Sequence, residues 1–392
     1  MKHVTLDRSS IFLILIILFI AACVGFLLLR LRADSLDEAL KNDRILNIAF
    51  VVERGGKPAA TEIFLYYPMN QRGALLDVPA ETGLILKSLN RVDRIEALYD
   101  PQNPKAYIEE VSRLIGAPLP FHIILRESGL IELVDLLDGL SLFIPNPVDA
   151  RGPSGRVLLP SGSVTLDGSK VAAFSSWSDP EAPELERVER RQRLLQALLK
   201  RVGERRDYVL SPEVFPEISR RMRTNIESDA LYRLFERIAD LDVDRLVTQR
   251  ITGNYRSMDG ATLLFPHYDG SLVKDIVKQT LNALVNADSF AVADKVFTIE
   301  ILNGTTVRGL AGKTAEIFQS FGYEVGSVDN AETQDLARTV IYDRYSNGEA
   351  ARTIGNVIRC KNVVPGDGGR PESFADFTIV LGRDFNGRFC DE

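Results

Sequence analysis

The densest set of residues able to do chemistry is Arg187-Val188-Glu189-Arg190-Arg191-Gln192, near the start of a long amphipathic segment. Guanidinium groups hold phosphate through a planar fork of donors, which a lysine does not offer. Arg187, Arg191, Leu194 and Leu198 recur at i, i+4, i+7 and i+11, so two arginines border the apolar stripe, where an anion would be partly enclosed. The competing reading is a solvated basic face balanced by Glu184, Glu186 and Glu189 through i,i+3 and i,i+4 pairing. The residues alone leave both open. Other chemistries lack their parts. His122 and His267 are isolated, with no partner at metal-ligand spacing. There is no nucleophile elbow, Walker lysine or dinucleotide fingerprint. Trp177 suits stacking on a sugar or covering a core edge. A formal net charge of -7, from 54 acidic and 47 basic residues, excludes nucleic acid as the main partner, because phosphate backbones are held by clustered cations.

A chain of 392 residues suggests two or three domains to position these groups. Patterning predicts strands over 44–52, 62–68, 73–78 and 141–145. It predicts helices over 103–116, 128–137, 166–174, 184–202, 226–241 and 272–287. The Gly/Pro/Ser-rich stretch 152–162 reads as a loop. The fold class is α/β, with a three-layer body over 44–285. A polar, alanine-rich linker follows at 286–295. Residues 296–392 alternate as β-α-β-β-α-β, a small α+β domain of the split βαβ plan.

Residues 1–43 read as a cytoplasmic tip, a transmembrane helix and a charged stalk. From Ile11 to Leu29 there is no charge, proline or asparagine, and a helix of about 20 residues crosses a hydrocarbon core. A cleaved signal peptide has a shorter apolar run. Ile20-Ala21-Ala22-Cys23 resembles a lipoprotein cleavage box, but apolar residues continue to Leu29, which favours an uncleaved anchor. Lys2 and Arg8 before the segment nearly balance Arg30 and Arg32 after it, so the flanking charges do not orient it. Of the three cysteines, Cys360 and Cys390 would close a loop of about 30 residues as a disulfide in an oxidising compartment. Two free thiols are the equal alternative, since sequence does not give their distance.

Larger resemblances rest on ordered motifs. Leu302-Asn303-Gly304-Thr305, Gly309-Leu310-Ala311, Phe321-Gly322-Tyr323 and Phe377-Thr378-Ile379-Val380-Leu381-Gly382 resemble the LytR C-terminal domain over roughly 296–385. The glycines there serve a tight strand-to-helix turn, or an anion at the helix start. Ile131 to Leu140, Leu166-Asp167-Gly168, the arginine-rich helix, Thr224-Asn225 and Leu264-Phe265-Pro266 together resemble the LytR-CpsA-Psr family over roughly 44–284. The resemblance implies transfer of a glycopolymer from polyprenyl diphosphate to the cell wall. It also implies Mg²⁺ as cofactor, and a body outside the cytoplasmic (inner) membrane on a single-pass anchor whose N-terminus lies inside.

The chain departs from that pattern at its cations. The family's Asp-Thr falls on Thr61-Glu62, its Pro-Arg-Asp-Thr on Pro79-Ala80-Glu81-Thr82, and its pair of arginines on Ser176-Trp177-Ser178. A lost guanidinium removes charge stabilisation that commonly contributes a few kcal/mol, roughly per donor. What the resemblance leaves is Arg187, Arg190, Arg191 and Gln192 for phosphate, with Glu62 and Glu81 as metal ligands. The expected function is therefore a degenerate domain that binds a polyprenyl phosphate or glycan, its partners being membrane lipid, polyprenyl-linked glycan or peptidoglycan, and envelope proteins. The alternatives are an active Mg²⁺-dependent glycopolymer phosphotransferase and a structural scaffold.

Overall fold

The period-two alternation of strand side chains sets the architecture. In the computed structural model, residues 19–20, 35–42, 44–152, 155–177, 185–258, 260–285, 297–344, 347–366, 368 and 372–391 are described. The expected membrane segment 11–29 lies outside them except for Phe19 and Ile20, which are helical and exposed, and the linker 286–295 lies outside them entirely. Among the described residues no helix is long and apolar enough to cross a membrane.

Helix α1 (Ser35–Lys41) leads into β1 (Leu46–Arg54), β2 (Lys57–Tyr67) and β3 (Arg72–Asp77). A hairpin of β4 (Gly83–Leu86) and β5 (Arg91–Arg94) precedes α2 (Lys105–Ile115), β6 (Phe121–Arg126) and α3 (Glu127–Leu136). Then come β7 (Leu140–Ile144), β8 (Val148–Gly152), β9 (Gly155–Leu159), β10 (Gly162–Leu166), α4 (Gly168–Ser176) and α5 (Leu185–Glu204). The first body closes with β11 (Met222–Thr224), α6 (Ser228–Ala239), β12 (Val247–Arg250), the hairpin β13 (Gly253–Met258) and β14 (Ala261–Pro266), and α7 (Ser271–Val285).

The central sheet runs β11-β6-β1-β2-β3-β12. Ile48, Phe64, Tyr66, Leu75 and Ile123 face one side, where α3, α4, α5 and α6 bury them. Ala49, Val51, Ile63, Leu65 and Leu76 face the other, against α2 and α7. The body is thus three-layered. The stretch read as a loop, 152–162, instead contains β9, which pairs antiparallel with β8. Gly155 opens β9 at φ 113, a conformation that favours glycine, and Val148, Ala150 and Leu159 turn into the core. Glycine and proline in the turns mask the short alternation on either side.

The second body contains β15 (Thr298–Asn303), α8 (Leu310–Ser320), β16 (Glu324–Asn330), β17 (Val340–Asp343), α9 (Gly348–Val357), β18 (Val363–Pro365) and β19 (Phe377–Leu381). Its sheet order is β16-β15-β19-β17-β18. The expected β-α-β-β-α-β series therefore gains one edge strand, β18, which at three residues is too short to show alternation. Helix α7 joins the bodies: Val273 and Val277 pack in the first, Leu272 and Ile276 in the second.

The α3–α4 crossing holds one wall of the site described below. Asp167 caps α4 by accepting from the Lys170 backbone N–H at 2.9 Å, and Asp135 accepts from the Gly168 N–H at 2.8 Å. A Cβ on Gly168 would lie 2.2 Å from the Ile131 carbonyl oxygen. Gly168→Ala is expected to destabilise the protein by about 1–3 kcal/mol through overpacking, read as a lower midpoint in urea unfolding.

Candidate ligand-binding pocket

A largely apolar pocket opens between the central sheet and α3, α4 and α5. Phe50, Leu125, Leu130, Val171, Leu194 and Leu198 form much of its wall, and its empty volume, mouth included, is about 770 Å³. Arg54, Glu62, Ser175 and Arg191 supply the polar lining. Two features of the sequence build it. The strands present Phe50 and Glu62 as directly paired residues of β1 and β2. Helix α5 presents Arg191, Leu194, Leu195 and Leu198 on one face, at the spacing of successive helical turns.

At the deep polar edge, Glu62 is directly opposite Asp77 across the β2–β3 ladder. Both are buried, with relative exposures of 3% and 0%. Arg191 donates to Asp77 Oδ1 from Nη2 at 2.7 Å and from Nε at 3.0 Å. Asp77 Oδ2 and both Glu62 oxygens are buried without a protein hydrogen-bond partner. Burial, then the charge of Asp77, pushes the Glu62 carboxyl well above the usual glutamate range, with Arg191 opposing the shift. Burial and the neighbouring Asp77 thus favour the neutral form of Glu62, while Asp77 pairs with Arg191. Burial would lower the Arg191 guanidinium, but the charge and hydrogen bonds of Asp77, with Glu81 adding to them, hold it above its ordinary value.

Four residues along β1 from Phe50, about 13 Å at strand rise, Arg54 stands at the other polar edge. It donates from Nε to Glu127 Oε1 at 2.6 Å and from Nη2 to Ser175 Oγ at 3.2 Å.

The structure divides the residues singled out from sequence. Arg191 and Glu62 line the pocket together. Arg187 is half-buried one helical turn before Arg191 on α5. Arg190, expected with the phosphate-binding set, instead lies on another side of the helix and outside the pocket lining. Its guanidinium carbon stands 4.6 Å from the Trp177 ring centroid, and Nη2 donates to the Trp177 carbonyl at 2.8 Å. Adjacent residues on a helix point about 100° apart, so Arg190 and Arg191 do not share a face. Gln192, also expected at the phosphate, donates to the Gln249 carbonyl at 2.7 Å, and Gln249 Nε2 donates to Thr280 Oγ1 at 2.7 Å. That buried chain ties α5 to β12 and α7. Glu81 is half-buried, and its backbone carbonyl accepts from the Leu264 N–H at 2.9 Å. Thr61, beside Glu62, faces the opposite layer and shares a 2.7 Å hydrogen bond with the Tyr107 hydroxyl.

Asp77 and Arg54 carry no signal in the sequence that separates them from ordinary strand-end charges. Pairing register alone brings Asp77 opposite Glu62. His267, isolated in sequence, lies 2.8 Å from Glu316 of α8 and belongs to the contact between the bodies.

Fold and pocket define a three-layer α/β domain with an arginine–carboxyl cluster at the polar edge of its pocket, followed by a small α/β module. Residues 74–280 match the LytR_cpsA_psr family model, and residues 297–385 match LytR_C, described as "LytR cell envelope-related transcriptional attenuator". The first match spans more than half of the chain, and the protein belongs to the LytR-CpsA-Psr family, a cell-envelope assignment that the second domain shares. Among solved structures, Bacillus subtilis TagV is similar at 17% identity and TM-score 0.53, with 61% of this chain and 98% of that chain covered. TagT bound to LIIa-WTA is similar at 15% identity and TM-score 0.51, with 62% and 91% covered. A protein from Enterococcus faecalis described as a transcriptional regulator is similar at 13% identity and TM-score 0.52, with 64% and 92% covered. At these identities the likeness is one of fold. No curated protein matches the chain.

Opposite effects are expected at the two carboxyls. Asp77→Asn leaves Arg191 buried without its counter-ion and should cost about 3–5 kcal/mol in urea unfolding. Glu62→Gln replaces a protonated acid with a neutral isostere and should be nearly neutral or stabilising. The raised folded-state pKa of Glu62 makes its contribution greatest below the unfolded glutamate value of about 4.3 and erodes it as pH rises toward the folded value. Wild type should therefore lose stability relative to Glu62→Gln across that window, and parallel pH profiles for the two proteins would refute the assignment of the proton.

Proposed function

We propose that this protein binds a polyprenyl phosphate or a polyprenyl-linked glycan in the cell envelope, and that it does so without transferring the glycan. In this reading the 11–29 segment anchors the chain in the cytoplasmic membrane, with the body outside. The observation that carries the proposal is the apolar pocket whose polar edge is an arginine. A long isoprenoid tail would bury against Phe50, Leu125, Leu130 and Leu194, gaining roughly 25 cal/mol for each Å² removed from water. The phosphate would meet Arg191, with Arg187 one turn away. TagT has been solved with LIIa-WTA and with LI-WTA bound, which supports ligand capture as a use of this fold.

Two features speak for binding over turnover. Ser176, Ser178 and Ala80 stand where the family resemblance calls for arginine. The Glu62–Asp77 pair also does not suit magnesium. Mg²⁺ demands near-octahedral oxygen ligands and keeps several waters. Here Arg191 already supplies the positive charge to Asp77, burial and Asp77 favour the neutral form of Glu62, and the adjoining wall is apolar. We therefore derive no step through a metal.

The test is titration of the purified protein with a long-chain polyprenyl phosphate and with the corresponding diphosphate in detergent. Binding should be unaffected by EDTA, with no phosphate released. Arg187→Ala should weaken it by about tenfold or more, the usual cost of a hydrogen bond to a charged group. Leu195→Trp should abolish it by filling the pocket. Metal-dependent cleavage would instead establish the transferase, and absence of binding to either lipid would leave the scaffold.

A further inference from the structure

The last residues of the chain form a strap that crosses from the second body to the first. The Cys390 backbone N–H donates to the Ile358 carbonyl at 2.8 Å, and Phe385 bridges to Cys390. Between them, Arg388 is buried at 7% exposure. It donates from Nη1 to the Val357 carbonyl at 2.7 Å and from Nη2 to Asp275 Oδ2 of α7 at 2.9 Å. Tyr268, at the entry to α7, donates its hydroxyl to the Gly387 carbonyl. Phe389 lies within 4.2 Å of the Arg388 guanidinium carbon and 3.8 Å of that of Arg359. The strap's hydrogen bonds with the first body, Arg388–Asp275 and Gly387–Tyr268, come within three residues of Cys390.

The Cys390 side chain ends against Cys360. Both thiols are free, both pack on the core of the second body, and they are hydrogen-bond neighbours. Cys360 is buried beneath the Thr339 and Asn362 carbonyls, whereas Cys390 is half-buried.

We propose that Cys360 and Cys390 are a redox clasp: their oxidation to a disulfide locks the C-terminal strap in place and, through Arg388 and Gly387, locks the second body onto α7.

The step requires a thiol–disulfide oxidant, such as oxidised glutathione. One cysteine thiolate attacks a sulfur of the oxidant and releases one thiol. The second cysteine then displaces the other half as a second thiol. Two S–H bonds break, one intramolecular S–S bond forms, and two electrons leave the pair to reduce the oxidant. The hydrogen bond from Cys390 holds the Cys360 thiol below its usual value, which favours its thiolate, while the same contact and burial hold Cys390 high. Asp384 is the nearby carboxylate that opposes ionisation of both. The link would add a covalent tie two residues from Arg388, on a strap held to its neighbours by hydrogen bonds.

This clasp is independent of what the pocket binds. Its test uses the full-length chain in detergent, carrying Cys23→Ser to remove the third thiol, incubated with oxidised glutathione or with dithiothreitol. Peptide mapping without reduction should find Cys360 joined to Cys390 in the oxidised sample. Amide exchange at residues 387–391 and around Asp275 should slow by about tenfold or more on oxidation, as for a segment moved from local opening toward larger-scale opening. Cys390→Ser and, separately, Cys360→Ser should remove that response. The proposal is overturned if both thiols stay alkylatable, if the cysteines link different chains, or if the disulfide forms and exchange at the strap does not change.

Discussion

The ion pair between Arg191 and Asp77 is the contact on which the pocket depends. Asp77 is fully buried at the end of a central strand, and without a cation there its charge would be among the costliest features of the fold. The pair fixes the rotation of α5 about its axis. Once Arg191 points at Asp77, Leu194, Leu195 and Leu198 necessarily face the sheet beside it, and Arg190 must turn toward Trp177. Burial, and then Asp77 directly across the ladder, raises the Glu62 carboxyl beside this pair.

This arrangement places the donor face of a carboxylate-paired arginine at the edge of an apolar space, a setting that suits an amphiphile with an anionic head. It differs from a site built for fast phosphoryl chemistry. Such a site concentrates several uncommitted cations where charge develops. In this chain the cations nearest the pocket are already engaged: Arg191 with Asp77, and Arg54 with Glu127 and Ser175. The two bodies are not strung loosely along the chain. Helix α7 contributes to both cores, and β12 meets α8 through Arg250–Gln319, at 3.3 Å, while just beyond β12 Thr252 meets Ser320 at 2.6 Å. A change in the small domain therefore has a packed route to the helix that covers the central sheet.

Much of this was legible in the sequence. Helices α2, α3, α5, α6 and α7 announce themselves through apolar spacing at 3.6 residues, and the strands β1 to β3 through apolar runs. The family follows from short motifs in a fixed order, and the arginine-rich helix marks the element that carries the site. Sequence also determined what is missing, since serine and alanine at the positions where the resemblance calls for arginine are facts of composition that no folding can reverse.

Tertiary structure alone decided which of the remaining charges act together. Helical spacing places Arg187 and Arg191 on a common face, but it does not say that Arg190 will stack on an aromatic ring or that Gln192 will spend its amide on Gln249. Asp77 and Glu62 are fifteen positions apart, and they meet only because the β2–β3 register pairs them. Cys360 and Cys390 likewise share a site because Cys390 pairs with Ile358. The physical reason is common to all three. Periodicity along the chain fixes which side of its own element a residue faces, whereas the partner it meets depends on register and on packing between elements distant in sequence.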